Sequence, residues 1–308
     1  MTHPTSQIVT DALVLEPVAA QHFDVAFIGT TQPCPWPKAY GGDMVAQAAA
    51  AAMHTVTDGK VLHSMHSYFM RPVDIGAPVT YEVEVLRDGR GYATRQVRAF
   101  QNDKAAYTCL ASFAAGEAGG RYAAQPAHDV PAPDSLPSAA AYLADREPGD
   151  GTTMTAESKE YWASGRSFDM RHLPGPVYLE VDGGSTPQQA LWVKPFDALR
   201  PVDGLTDAQR DLAALAYVCD YTILEPVLRV LDLAWAQPGL VTASLDHAMW
   251  FHRPPAPGVL DGWLLYTQDA VAADAGRGVG HGRFFTPDGE HLATVVQEGM
   301  IRATPGGH

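Results

Sequence analysis

The sequence has no long apolar run: nothing in its 308 residues approaches the roughly 20 that a membrane helix needs. The longest candidate, Met44 to Met53, is short and mostly alanine. The first ten residues are polar and lack a basic stretch followed by an apolar one, so no secretory leader is read there and the cytoplasm is the expected compartment. Cysteine is scarce. Cys34, Cys109 and Cys219 lie far apart with no C-x-x-C spacing, which argues for reduced thiols and against a structural zinc site. Basic residues are few as well: 21 Lys and Arg stand against 35 Asp and Glu, a net charge of -14. Such a surface repels nucleic acid and anionic membranes. It leaves room for a polyanionic small ligand wherever basic groups cluster. The nucleophile elbow G-x-S-x-G is missing too, which excludes an esterase of the α/β-hydrolase type.

What the chain does have is apolar content, 46% of its residues, enough for a substantial core. It also has one plan written twice. Gly116 to Ser138 is rich in Gly, Ala and Pro and reads as a linker with extended character. Before it, a strand at His22–Ile28 precedes Gly41-Gly42-Asp43 and an alanine-rich helix to about Val56, capped by Asp43 or the residue before it and stopped at Asp58-Gly59. Strands follow at His63–Met70, Val79–Arg87, Tyr92–Gln101 and Ala105–Phe113, the last after a turn at Asn102-Asp103-Lys104. After the linker, Ser167–His172 and Gln189–Phe196 read as strands and Asp207 to about Leu231 as helix, kinked or divided by Pro226. Further strands are expected at Val241–His252, Trp263–Ala270, Arg277–Phe285 and His291–Ile301.

The repeat survives arithmetic. Phe69-x-Arg71-Pro72 matches Phe251-x-Arg253-Pro254 at an offset of 182 (253 − 71), and the same offset pairs Tyr81 with Trp263 and Arg95 with Arg277 (277 − 95). One helix and a run of antiparallel strands bury their faces by wrapping sheet around helix, and two such units join by continuing one sheet into the other. Units at 8–116 and 156–304 with a linker at 117–155 are therefore expected, an α+β fold.

Several strings then resemble a known family. Gly41-Gly42, His63-Ser-Met-His-Ser-Tyr-Phe-Met-Arg-Pro72 and Leu86-Arg-Asp-Gly-Arg-Gly-Tyr-Ala-Thr-Arg95 resemble the N-terminal half of the acyl-CoA thioesterase II family. Ser244-Leu-Asp-His-Ala-Met-Trp-Phe-His-Arg-Pro254 and Val296-Gln-Glu-Gly-Met-Ile-Arg302 resemble its C-terminal half. The resemblance implies a double hotdog, two tandem helix-wrapped antiparallel sheets forming one continuous sheet. It implies hydrolysis of fatty acyl-CoA to free acid and CoA, with no cofactor or metal, and a homo-oligomer. It places the site on Asp220, Ser244 and Gln297, the last two with Asp220 holding a water. After Gly41-Gly42 the family usually has Gln, and here Asp43 stands instead, which is read as a helix cap.

Those residue types suit thioester hydrolysis, which needs an oriented water, a base for its proton and donors for a developing oxyanion. A partly desolvated carboxylate can be the base, and a hydroxyl and an amide both donate and accept. Taken singly, Asp220 reads first as a helix-surface carboxylate, Ser244 as an ordinary edge-strand polar residue and Gln297 as a solvent-facing one, with Asp246 the rival that shares a strand face with Ser244. Arg87, Arg90, Arg95, Arg98 and Lys104 concentrate positive charge, either to meet CoA phosphates or merely to decorate a hairpin. His63 and His66 are three apart on a strand, face opposite ways and cannot chelate together. Gly276-x-Gly278-x-Gly280-x-Gly282 lies in a strand pattern with no helix after it and is not a dinucleotide loop. Two other functions compete. A hotdog hydratase or dehydratase would act through His66 or His247, and a non-catalytic acyl-CoA-binding protein would lack the trio.

Overall fold

Strand order sets the architecture. The computed structural model describes residues 5–126, 130–146 and 154–303. Of the expected linker, residues 127–129 and 147–153 lie outside these, as do 1–4 and 304–308 at the ends. The chain opens with helix α1 (Thr5–Ala12), strands β1 (Glu16–Val18) and β2 (Val25–Thr30), helix α2 (Gly41–His54), and strands β3 (Val61–Phe69), β4 (Pro78–Asp88), β5 (Tyr92–Gln101) and β6 (Lys104–Ala114). Short helices α3 (Ala139–Ala144) and α4 (Ala156–Glu160) lead to β7 (Phe168–Leu173), β8 (Gln188–Pro195), α5 (Asp207–Val218) and α6 (Glu225–Val230). Strands β9 (Val241–Ser244), β10 (Asp246–Phe251), β11 (Leu264–Asp274), β12 (Arg277–Phe285) and β13 (His291–Arg302) complete it. All lie in one sheet ordered β1-β2-β4-β5-β6-β3-β10-β13-β12-β11-β8-β7, with β9 beside β13. That order reads the same from either end, β1 answering to β7 and β3 to β10. Among the described residues no helix is long and apolar enough to cross a membrane.

The Arg-Pro strands β3 and β10 meet at the centre. His66 pairs directly with Ala248 (248 − 66 = 182), so the local twofold passes through that pair. Farther out the offset of 182 fails. Both units carry a bulge, after Val85 in β4 and after Ala270 in β11, and these correspond at 185 (270 − 85). Tyr81 thus answers to Tyr266 rather than Trp263. Arg95, which pairs with Ala111, answers to Gly280, which pairs with Gln297, rather than to Arg277. A longer connection between β10 and β11, holding a short 3-10 turn at Val259–Asp261, supplies the extra residues.

Local chemistry explains the other departures. The strand expected from His22 starts only at Val25, because buried Glu82 accepts the backbone N–H groups of Gln21, His22 and Phe23 (3.0, 2.7 and 3.0 Å) and bends the chain there. Helix α2 begins at Gly41 with Tyr40 as N-cap and no side-chain cap, and it ends at His54. Asp43 does not cap it. Ala48 to Ala52 are wholly buried on this helix, the small side chains that let a curved sheet close around it. The helix expected over 207–231 is two helices, and Pro226 lies in the first turn of the second. Pro226 has no N–H for Thr222 O and its ring crowds that carbonyl, so the break falls before it, at 219–224. The strand expected at Val241–His252 is interrupted at Leu245. The Pro-rich segment lies along the second half-sheet: Pro131 O accepts from Trp192 Nε1 and Pro133 O from Arg171 Nη1, both at 2.8 Å.

Candidate active site

The break between α5 and α6 is where Asp220 sits. A capping box launches α5: Thr206 Oγ1 accepts from Gln209 N (3.2 Å) while Gln209 Oε1 accepts from Thr206 N (2.9 Å). After Val218 the chain tightens into a 3-10 turn, Cys219–Tyr221, which presents Asp220 toward β9 and β13. Gly280 makes the turn possible, since a Cβ there would lie 2.1 Å from Ile223 O. Gly299 opposite gives the Leu224 side chain its place in the same way. The alternating glycines of β12 and β13 are thus the floor on which the broken helix rests.

Three residues from three elements meet there. Ser244 Oγ, at the end of β9, donates to Asp220 Oδ1 at 2.9 Å. Gln297 Nε2, on β13, reaches Asp220 Oδ1 at 2.5 Å and Ser244 Oγ at 3.0 Å. Gln297 is fully buried, and its Oε1 has no partner among the described residues. Burial pushes the Asp220 carboxyl above its ordinary value, while hydrogen bonds from Gln297, Ser244 and the Gly42 N–H draw it back. Asp220 keeps partial solvent access. Gly41 must be glycine: a Cβ there would lie 2.6 Å from Asp220 Oδ2.

The first unit contributes more than was expected. Asp43 is buried and accepts from Gln32 N (3.0 Å) and Gln32 Nε2 (2.9 Å), and burial lifts its pKa to about 7. Tyr40 donates to Tyr217 O (2.7 Å) and stacks on Tyr221 with ring centroids 4.2 Å apart. Tyr221 in turn has its hydroxyl 2.6 Å from that of Tyr217 and 3.0 Å from that of Tyr161. This tyrosine wall beside Asp220 escaped the sequence reading. Its only signal was the pair of tyrosines at 217 and 221 flanking the aspartate.

The remaining candidates make no hydrogen bond to the trio among the described residues. Asp246 is engaged with the Glu298 N–H (2.9 Å) across the interruption at Leu245. His66 is exposed, edge-on to Trp250 on the outer face of the sheet. His247 is buried against Cys219 (Sγ to Nε2, 3.2 Å), and burial lowers its pKa to about 3, so it is neutral. Arg95 is no surface cation: it is buried and donates to Thr55 Oγ1 (2.8 Å), Thr55 O (3.1 Å) and Asp88 (2.8 Å), tying β5 to the end of α2. Arg98 lies over the Phe23 ring.

Comparison with known proteins gives the family. Residues 32–114 match the family model of the acyl-CoA thioesterase N-terminal domain, and residues 125–301 that of the C-terminal domain. The chain is 32% identical to acyl-CoA thioesterase 2 of Haemophilus influenzae over 91% of its length and 93% of that protein's. It is 31% identical to human acyl-coenzyme A thioesterase 8, over 97% of this chain and 90% of the human one. An acyl-CoA thioesterase II from Mycobacterium marinum superposes with a TM-score of 0.73 at 29% identity, over 97% of this chain and 99% of that one. With two family models covering most of its length, a double-hotdog sheet and relatives of near-equal extent, the chain belongs to the acyl-CoA thioesterases, which are thioester hydrolases.

Proposed function

We propose that this thioesterase cleaves fatty acyl-CoA with a water held by Asp220, Ser244 and Gln297. The observation that carries the reading is the closed triangle of hydrogen bonds among the three, which orients a partly desolvated carboxylate and leaves Gln297 Oε1 as a second acceptor. Asp220 and Gln297 Oε1 take the two hydrogens of the water. Its oxygen attacks the thioester carbonyl while Asp220 accepts the departing proton. The tetrahedral intermediate then expels CoA as thiolate, breaking the C–S bond, and protonated Asp220 returns the proton to sulfur. The raised pKa of Asp220 serves both halves of the cycle, base first and acid second.

Thiol release measured against straight-chain acyl-CoAs of increasing length tests the substrate class. Turnover that rises with chain length is expected; turnover confined to acetyl-CoA counts against a fatty acyl substrate. The wider setting belongs to the same proposal: a cytoplasmic enzyme of fatty-acid metabolism that works as a homo-oligomer. Three unpaired cysteines support a reducing compartment. Tyr68, Leu110 and Trp250, exposed on the adjoining strands β3, β6 and β10, support self-association through the outer face of the sheet. Sedimentation of the purified protein checks this, and a monomer at micromolar concentration rules it out.

A further inference from the structure

A chain of buried polar side chains lies beneath the helix break, and none of it touches the trio. Gln268 Nε2, on β11, donates to Thr222 Oγ1 at 2.8 Å. Gln268 Oε1 accepts from Gln189 Nε2, on β8, at 2.7 Å, and Gln189 Nε2 also donates to Glu225 Oε2 at 2.8 Å. His172 Nε2, on β7, lies 3.0 Å from the same Glu225 oxygen, and Trp235 Nε1 donates to Glu225 Oε1 at 3.1 Å. Thr222, Gln268, Glu225, Gln189 and His172 are all buried. So many polar groups in a core are tolerated only when they satisfy one another, and a network of this kind specifies a conformation more than it adds stability.

The first unit shows that the fold does without it. By register, the pair Gln189 and Gln268 in β8 and β11 answers to Val25 and Val83 in β2 and β4 (268 − 83 = 185). There Val83 is buried in the apolar core and Val25 is exposed, with no polar pair between them, and α2 is unbroken. The polar network thus accompanies the break, and it fastens the break on the far side of Asp220, at Thr222. On the near side, Tyr266 Oη donates to Cys219 O at 3.1 Å. Asp220 is held between two clamps, both anchored on β11.

We infer that Gln268, with Gln189 and Glu225 behind it, is a positioning residue for Asp220: it holds Thr222 so that the carboxylate meets Ser244 and Gln297. This rests on the assignment of Asp220 as the base. Thr222→Val swaps the hydroxyl for a methyl at nearly constant shape, and Gln268→Leu removes the amide. Because a small misplacement of a catalytic group is enough to cost about 10²-fold, both variants should lose about that much kcat, with KM within about twofold of the parent. Thr222→Ser should recover most of the loss. As Asp220 drifts from its donors its pKa rises further, so the acidic limb of the kcat profile should move to higher pH in Thr222→Val, which a purely structural role would not cause. If Thr222→Val and Gln268→Leu melt earlier yet keep parental kcat and pH profile while Asp220→Asn is inactive, the network is a stability element and the inference fails alone. If Asp220→Asn itself turns over normally, the base assignment fails and takes the inference with it. Should Gln268→Leu not fold, Thr222→Val decides.

Discussion

The two units build the same half-sheet, and four of the registers at which they differ surround the helix break. Ser244 stands where the first unit has Leu62, Gln297 where it has Ala111, Gly280 where it has Arg95, and Gln268 where it has Val83. In the first unit Arg95 fills the inner face and binds Thr55 at the end of α2, so the helix runs through. In the second, Gly280 leaves that space to the Ile223 carbonyl, and the helix breaks. The sheet folds either way. What separates the halves is that one runs its helix past a buried arginine and the other breaks its helix and sets a carboxylate against a serine and a glutamine.

The sharpest way to break this comparison is at the aspartate. Asp220→Asn keeps shape and one acceptor but removes the proposed base, so kcat should fall by about 10²–10⁴-fold while acyl-CoA still binds. Single-turnover kinetics with one acyl-CoA, alongside circular dichroism, measures this. Parental turnover in a folded variant would place the chemistry elsewhere.

Transplanting the second unit's residues into the first sharpens the same point. Ala111→Gln and Leu62→Ser supply the hydroxyl and amide, but no broken helix brings a carboxylate to them. Ala111 and Leu62 are fully buried, so the double variant should gain no activity and lose about 2–5 kcal/mol of stability to crowding and unpaired polar groups. Denaturant melts read the loss, and turnover surviving Asp220→Asn in that background would show that the first unit can host the reaction.

These differences also mark what was legible beforehand. The strands came through well: Tyr92–Gln101 and Arg277–Phe285 were read to the residue, because alternation along a half-buried strand is a local signal. The trio came from the family resemblance and not from any local signal, and the structure places its three side chains within hydrogen-bonding distance of one another. The break at 219–224 was half visible, since Pro226 announces an interruption but its place depends on a carbonyl four residues earlier. The constant offset of 182 failed because loop length is not a local property. Asp43 misled for a physical reason: an acid beside a helix start looks like a cap, and only the fold shows that Gln32 claims it.

Asp43 yields a smaller effect, with a definite sign. Its folded pKa of about 7 lies above its ordinary 3.8, because burial disfavours the charge. Protonated Asp43 therefore contributes stability that is full below about 3.8 and lost as pH rises through about 7. At 1.36 kcal/mol per unit this amounts to at most about 4 kcal/mol. The melting temperature of the parent should decline from pH 5 to 8 more steeply than that of Asp43→Asn. Parallel curves for the two proteins would mean that Asp43 is ionised throughout. In turnover the substitution should matter far less than Asp220→Asn, since Asp43 bonds Gln32 and none of the trio.

The cysteines should matter least, and they test whether any thiol does chemistry in either unit. Burial pushes Cys34 to about 11 and Cys109 to about 12, and it raises Cys219 as well, so all three are protonated at neutral pH and poor nucleophiles. Cys109 answers by register to Val295 in the second unit (295 − 109 = 186, as 297 − 111), so Cys109→Val merely installs the other unit's residue. Cys34→Ser, on a partly exposed loop, removes a thiol remote from the trio's bonds. Both should keep kcat within about twofold. Cys219→Ser is the stringent case, because it adjoins Asp220 and faces His247, yet serine preserves a partner for the His247 ring. If a thiolate attacked the thioester, an acyl-enzyme would accumulate as a burst in the parent and vanish in Cys219→Ser. Turnover that survives in the serine variant, with no burst in either protein, leaves the carboxylate at the break as the base and the water as the nucleophile.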